Sequence, residues 1–293
     1  MFLRNPANPI ILLTLMITTV LAPTLAADAH PFAGGNGTSA APYRISAAVQ
    51  LDSVRRYLDA HFVLVNNINL GPYLAEGGGG YAQWNERGWM PIGSNSKHFT
   101  GNFDGGKFSI SNLKIDRPED DYIGLFGYID SAAVSNLRIA SGEVKGRYDV
   151  GGICGLNWNG VITGCSNKAN VTGDFNVGGV CGTNRGESKN YYEPEITAEL
   201  VACYNDGTIS CSIMNAGGVC GMNRCDSYNG RAIITSCYNN GVIRGDGVIG
   251  GVCGMSTGYC GSTQIDDCYN KGKVTGRSSI GDVCGCDSIC FVY

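Results

Sequence analysis

The segment "IGGVCGMSTGYCGSTQIDDCYNKGKVTG" at residues 249–276 contains two blocks that return elsewhere in the chain. The first block has two glycines, an aliphatic residue, a cysteine and a glycine, and it recurs as "VGGICGLN" (150–157), "VGGVCGTN" (177–184) and "AGGVCGMN" (216–223). An incomplete copy starts near Gly281, and an earlier one, "YIGLFG" (122–127), has Phe126 in place of the cysteine. Six copies at intervals of 27 to 39 residues predict a stack of structural repeats.

The second block is "ITGCSN", "LVACYNDG", "ITSCYNNG" or "IDDCYNKG", with its cysteine at Cys165, Cys203, Cys237 or Cys268. Aliphatic residues precede and follow each block at fixed distances, while Gly and Asn interrupt the sequence every few residues. Such short β-branched stretches are typical of strands joined by turns. One repeat cannot bury its own apolar face, so the repeats are expected to stack as an all-β β-solenoid, or β-helix. Equivalent residues of successive repeats would then lie above one another.

These blocks resemble the bacterial GLUG-repeat family, whose motif centres on "GGLVG" followed by "CYNxG". The upstream stretches "GTSAAPYRIS", "FVLVNNINLG", "GWMPIGS" and "FTGNFDGGKFSISNLKI" are similar to the lead-in of such repeats, so the resemblance extends from Gly37 over nearly all of the remaining chain. It implies a secreted or surface-attached bacterial β-helical protein of the kind found in adhesin-like proteins and in noncatalytic regions of immunoglobulin A peptidases. The departure is a cysteine where the family more often has valine.

The N-terminal region has two predicted parts. Residues 1–29 combine Arg4, an apolar run and small residues, which favours a cleaved secretory signal over a membrane anchor. We therefore expect a secreted or cell-surface protein with no membrane insertion after cleavage. Residues 30–121 are expected to form an N-terminal cap and lead-in strands, followed by the repeat solenoid at 122–293.

One helix is predicted within this cap, near residues 46–60. Leu51, Val54 and Leu58 share one helical face, with Ser46 as the candidate N-cap. It would cover the open end of the solenoid, the alternative being an ordinary surface helix. The run "GGGG" at 77–80 is interpreted as a flexible turn.

All 14 cysteines lie at or after Cys154, mostly in two columns. Two alternatives stay open for these columns. The cysteines could pack as stacked free thiols, or they could form disulfides within each coil. The candidate bridges are Cys154 with Cys165, Cys181 with Cys203, Cys220 with Cys237, and Cys253 with Cys268. The terminal "CGCDSIC" matches no zinc spacing, and no metal or other cofactor is expected.

The sequence offers little for catalysis. It has three histidines and none of the common hydrolase, metalloprotease, phosphate-loop or dinucleotide motifs. The acidic stretch "DRPEDDY" (116–122) is interpreted as a solvated loop rather than a set of catalytic carboxylates. A net charge of -4, with 16% charged residues, argues against nucleic acid as a partner. We therefore expect a protein that is not an enzyme.

Binding is predicted on the loops that follow the first cysteine of each coil. Their lengths vary, and insertions at one connection of a solenoid emerge along one edge. Exposed aromatic residues there suit contact with an extracellular protein or glycan, although the tyrosines could instead pack locally. The candidates are Trp158, Tyr191, Tyr192, Tyr228 and Tyr259.

Three functions follow as hypotheses. The first is a noncatalytic adhesion or interaction module at the bacterial surface. The alternatives are an extracellular glycan-active β-helix enzyme and an accessory repeat region of a secreted peptidase.

Overall fold

The computed structural model describes residues 30–188 and 196–288. Its strands pair in parallel into four sheets that follow one another around each coil. The predicted signal peptide at 1–29, together with Tyr191, Tyr192 and Cys290, lies outside the described residues.

The strands of each sheet come from successive coils. The first sheet contains Tyr43–Ile45, His61–Leu64, Asn102–Asp104, Ala133–Ser135, Val161–Thr163, Ile196–Val201, Gly230–Thr235 and Ser262–Asp266. The second contains Ile68–Asn69, Ser109–Ser111, Arg138–Ile139, Ser166–Asn167, Tyr204–Asn205, Tyr238–Asn239 and Tyr269–Asn270. The third contains Leu113–Asp116, Gly142–Lys145, Asn170–Gly178, Ile209–Gly217, Ile243–Gly245 and Val274–Gly276, with corner strands Tyr148–Gly151, Ile249–Gly250 and Ile280–Gly281. The fourth contains Phe126–Asp130, Cys154–Trp158, Cys181–Gly186, Cys220–Cys225, Cys253–Gly258 and Cys284–Ser288.

The register of these strands confirms the predicted β-solenoid. In the fourth sheet one column of paired positions runs through Phe126, Cys154, Cys181, Cys220, Cys253 and Cys284. In the third sheet the opening glycines of the motif pair from Gly151 through Gly281. Equivalent residues of successive coils therefore stack along the axis of the solenoid, at the strand spacing of about 4.8 Å.

The glycines of the repeated motif permit close approach of the backbone. A Cβ atom at Gly178 would clash with the carbonyl oxygen of Cys181, and one at Gly179 would clash with the side chain of Asn205. Neither glycine has a positive φ. At these two positions glycine is therefore needed for close approach and not for an unusual backbone conformation.

The stack begins upstream of residue 122, the expected start of the solenoid. His61–Leu64 already pairs with Asn102–Asp104, and Ile68–Asn69 pairs with Ser109–Ser111. The lead-in segments are therefore coils of the same solenoid.

The predicted helix at 46–60 is shorter in the structure. An α-helix spans Ala48–Ser53, and a 3-10 turn follows at Val54–Arg56. Ser46 is not the N-cap; that position is Ala47, and the backbone N–H of Ser46 donates to Oε1 of Gln50 at 2.8 Å. Leu51 and Val54 are fully buried in the core, so the helix packs against the solenoid; its role in covering the open end stays a prediction.

A second difference concerns the run of four glycines. Two further helices occupy Gly71–Leu74 and Gly79–Trp84, and a 3-10 turn follows at Asn85–Arg87. The expected flexible turn at 77–80 thus includes the start of a helix. Because glycine has no side chain, the Tyr73 ring can pack against this segment. A Cβ atom at Gly80 would clash with that ring.

Candidate interaction surface

The outer face of the fourth sheet carries a column of large polar and aromatic side chains. Asp130, Trp158, Arg185, Arg224 and Thr257 pair in register on successive coils. Each lies one residue beyond an inward-facing position, so strand alternation directs its side chain outward. We use the name aromatic edge for the three large side chains of this column and the four rings grouped around them. Its members are His98, Tyr122, Tyr128, Trp158, Arg185, Arg224 and Tyr259.

Ring contacts join the N-terminal half of the aromatic edge. His98 stacks on Tyr128 with ring centroids 3.9 Å apart, and its Nδ1 lies 3.2 Å from Oδ2 of Asp130. Tyr122 and Trp158 lie 5.7 and 6.1 Å from Tyr128, centroid to centroid. Burial, reinforced by Asp130, raises the pKa of Tyr128, so its hydroxyl stays neutral.

Arginines continue the edge toward the C-terminal coils. The guanidinium of Arg185 lies 4.4 Å from the centroid of Trp158, and that of Arg224 lies 5.9 Å from the centroid of Tyr259. A guanidinium over an aromatic face gains cation–π stabilisation, so the charged groups and the rings position one another.

Two carboxylates complete a cluster of four charges. Arg185 Nη2 lies 2.8 Å from Oε2 of Glu187 and 3.2 Å from Oδ2 of Asp226. Arg224 Nε lies 2.5 Å from the same Asp226 oxygen. Several of these buried atoms lack a hydrogen bond of good geometry despite the short distances. Ionic contacts, rather than directed hydrogen bonds, therefore hold these four side chains together.

The predicted aromatic residues fall at one connection of the coil, between the fourth and first sheets. Trp158 ends a fourth-sheet strand and is partly exposed. Tyr228 and Tyr259 lie on the same connection in two later coils and are 62% and 64% exposed. The structure therefore places these three residues along one side of the solenoid; their role in binding remains a prediction.

The sequence interpretation missed the arginines and the His98–Tyr128 pair. The signal was present, because Trp158, Arg185 and Arg224 each lie four residues after a cysteine of the first column. A constant offset from the repeated cysteine indicates residues that occupy equivalent positions in successive coils and therefore form one column.

The cysteine columns are stacked free thiols, and none of the proposed bridges is formed among the described cysteines. The Sγ atoms of Cys154 and Cys181 donate to carbonyl oxygens two residues further along their own strands, at 3.2 and 3.1 Å. Those of Cys165 and Cys203 donate instead to carbonyls of the first sheet. Since the two columns direct their thiols to different strands, the pairings within a coil are not made. Burial raises the pKa of Cys181, which keeps this thiol neutral and poorly nucleophilic.

The acidic stretch at 116–122 does not bring carboxylates together. Asp120 contacts Arg87 at 2.5 Å, and Asp121 contacts Nε of Arg147 at 2.8 Å. Asp120 and Asp121 are thus each paired with an arginine. Over the described residues, no group of three or more His, Cys, Asp or Glu side chains is arranged to hold a metal ion. None of the helices seen in the described part of the chain is long and apolar enough to span a membrane.

Comparison with known proteins supports the repeat and the fold. The GLUG motif matches residues 146–172. A crystal structure of a Bacteroides ovatus protein, provisionally described as an immunoglobulin A1 protease, superposes with a TM-score of 0.70 at 23% identity; the match covers 88% of this chain and 76% of that one. The resemblance to GLUG-repeat proteins and the solenoid fold are thereby confirmed.

Two curated proteins are similar in sequence to parts of this chain. One, from Evansella cellulosilytica, is provisionally described as a Gly-rich membrane protein and is 43% identical over 116 residues, 39% of this chain. The other is halomucin of Haloquadratum walsbyi, 32% identical over 146 residues, 47% of this chain. The matched segments make up only 12% and 2% of these relatives.

Proposed function

We propose that this chain is a noncatalytic interaction module, secreted or displayed at the bacterial surface, that binds a protein or glycan through the aromatic edge. The observation that carries the proposal is the stack of Arg185 on Trp158, continued further along the same edge by Arg224 over the exposed ring of Tyr259. Trp, Tyr and Arg are the residues that most often dominate binding energy at interfaces.

The rigidity of the aromatic edge supports this proposal. Four of its side chains belong to adjacent hydrogen-bonded strands, and ring and ion contacts hold them in place before a partner arrives; these four are Tyr128, Trp158, Arg185 and Arg224. Less side-chain entropy is then lost on binding. The relatives described as a Gly-rich membrane protein and as halomucin support a location at the cell surface.

The two alternative functions have different support. A glycan-active enzyme would need a pair of free carboxylates across a groove, whereas Asp120 and Asp121 are engaged by arginines. An accessory role in a larger secreted peptidase is favoured by the shared fold with the Bacteroides ovatus protein. That role is compatible with binding through the aromatic edge.

The test is a binding screen of the secreted chain against glycans and extracellular proteins. We expect Trp158→Ala and Tyr259→Ala each to weaken binding of any partner found by about 10-fold or more, as truncation of a central aromatic contact usually does. The matched control is Tyr269→Ala, which removes a tyrosine that is 43% exposed on a different sheet. Thermal unfolding of each variant separates lost contact from lost fold, and unchanged binding by both edge variants would contradict the proposal.

A further inference from the structure

A cleft of about 450 Å³ opens beside the N-terminal end of the aromatic edge. Leu58, Met90 and Ile123 give it an apolar wall, and Tyr122 lines it from the edge side. Its size falls within the usual range for small-molecule sites. Three cationic side chains line it, Arg55, Lys97 and Arg117, together with the two acids Asp120 and Asp121, which the arginines Arg87 and Arg147 engage.

Arg117 is buried, with 1% of its surface exposed, yet its charge is only partly matched. Nε donates to the carbonyl oxygen of Trp89 at 3.1 Å, and Nη2 reaches that of Gly88 at 3.4 Å. Nη1 lies 3.5 Å from Oδ2 of Asp120, which Arg87 engages more closely at 2.5 Å. Buried charges are normally paired and hydrogen-bonded, so this guanidinium has capacity for a further anionic partner.

The other two cations add to the positive potential. Arg55 is fixed by Asp52 at 2.6 Å and lies 4.8 Å from the centroid of Trp84. Lys97 is exposed at the rim of the cleft. Burial, and then the positive charge of Arg87, lower the pKa of Arg117, while the neighbouring Asp120 acts in the opposite direction.

We propose that this cleft binds a small organic carboxylate. Its acid group pairs with Arg117 and Lys97, and its apolar or ring body packs against Leu58, Met90 and Ile123. A guanidinium recognises a carboxylate through paired N–H donors, and the apolar wall adds affinity for the attached carbon skeleton. The cleft adjoins the aromatic edge at Tyr122, but the cations that recognise the acid lie outside that edge, so this proposal does not depend on the partner contact proposed above.

Titration of the full chain with sodium glucuronate, sodium benzoate and glucose tests the ligand chemistry. Methyl resonances of Met90 and Ile123 report occupancy of the cleft. We expect at least one acid to shift them saturably and glucose to leave them unchanged. Glucuronate alone would identify an acidic sugar and benzoate alone an apolar acid, while no saturable shift by either acid, or equal shifts by glucose, would overturn the proposal.

Two variants test the named cations. Arg117→Gln is expected to weaken binding of the active acid about 10-fold or more, and Lys97→Glu several-fold, because each removes positive charge from the cleft. Lys273→Glu, an exposed lysine in the last coil, is the matched control and should bind as wild type. If Arg117→Gln unfolds, Lys97→Glu decides, and wild-type affinity in that variant would overturn the assignment.

Discussion

At the scale of single residues, Asp149 shows how the corner of a coil constrains side-chain chemistry. Its φ of 53° is left-handed, as are those of its column neighbours Asn176 and Asn215. The half-buried carboxylate accepts from Asn176 Nδ2 at 2.8 Å and from Thr183 Oγ1 at 2.5 Å. Asn and Asp tolerate this backbone region better than most residues, which explains their place at the corner.

Asp149→Asn is expected to stabilise the protein at neutral pH by roughly 1–2 kcal/mol. Burial raises the pKa of Asp149 above its ordinary value, so between the unfolded and folded pKa values the folded state holds more protons. Wild-type stability then falls as pH rises through that window. The advantage of the variant should be small below about pH 4, where the unfolded carboxyl is protonated, and should grow with pH.

Denaturant unfolding of both proteins between pH 3 and 8 measures this difference. Asn176→Asp is the matched control and should show the opposite trend, because it adds a second carboxylate to the same column. A pH-independent difference between wild type and Asp149→Asn would contradict the explanation.

At the scale of elements, columns of asparagine hold successive coils together. In the second sheet Nδ2 donates to Oδ1 of the next coil from Asn167 to Asn205 at 3.0 Å, from Asn205 to Asn239 at 2.9 Å and from Asn239 to Asn270 at 2.8 Å. Each member also bonds the turn that follows it, as Asn205 does with both backbone groups of Gly207. The second glycine of the repeated motif makes room for this column, which links the two repeated blocks of the sequence.

Asn205→Ala should therefore destabilise the protein by about 3 kcal/mol or more. It leaves the N–H and carbonyl of Gly207 and two neighbouring amides without their partner, and each unsatisfied buried group costs about 1–3 kcal/mol. Asn270→Ala, in the partly exposed last coil, should cost less, because water can replace the lost bonds. Urea unfolding measures both, and equal losses would indicate that the column does not act through burial.

At the scale of the whole molecule, repetition decided which features could be predicted. The solenoid and its cysteine columns could be predicted because the same residue types recur at equivalent positions of the repeats, as Cys181 and Cys220 do. The helix at Gly79–Trp84 was missed because glycine usually weakens a helix, and here packing around Tyr73 outweighs that preference. The cleft brings together residues near positions 55, 97 and 117 that belong to no repeat, so only the folded chain reveals it.

The same one-dimensional architecture predicts the order in which the coils open. In a solenoid each coil contacts only its neighbours, so stability is a sum of local terms and opening can begin at an end. Cys154, Cys181 and Cys220 are fully buried, whereas Cys268 and Cys284 in the last described coil are partly exposed. Within the two columns, a thiol-reactive reagent under native conditions should therefore modify Cys268 and Cys284 before Cys154, which should react last. Each 1.4 kcal/mol in opening free energy separates the rates about 10-fold.

Pulse labelling with peptide mass spectrometry gives the rate for each cysteine. A reducing agent should leave the order unchanged, because the described cysteines are free thiols; new labelled sites after reduction would reveal disulfides instead. Cys253→Ser provides a control, since a hydroxyl at this buried position should speed labelling of Cys284 in the adjacent coil more than that of Cys154. Labelling of all columns at a single rate would show that the coils open together, and would contradict the nearest-neighbour account of this fold.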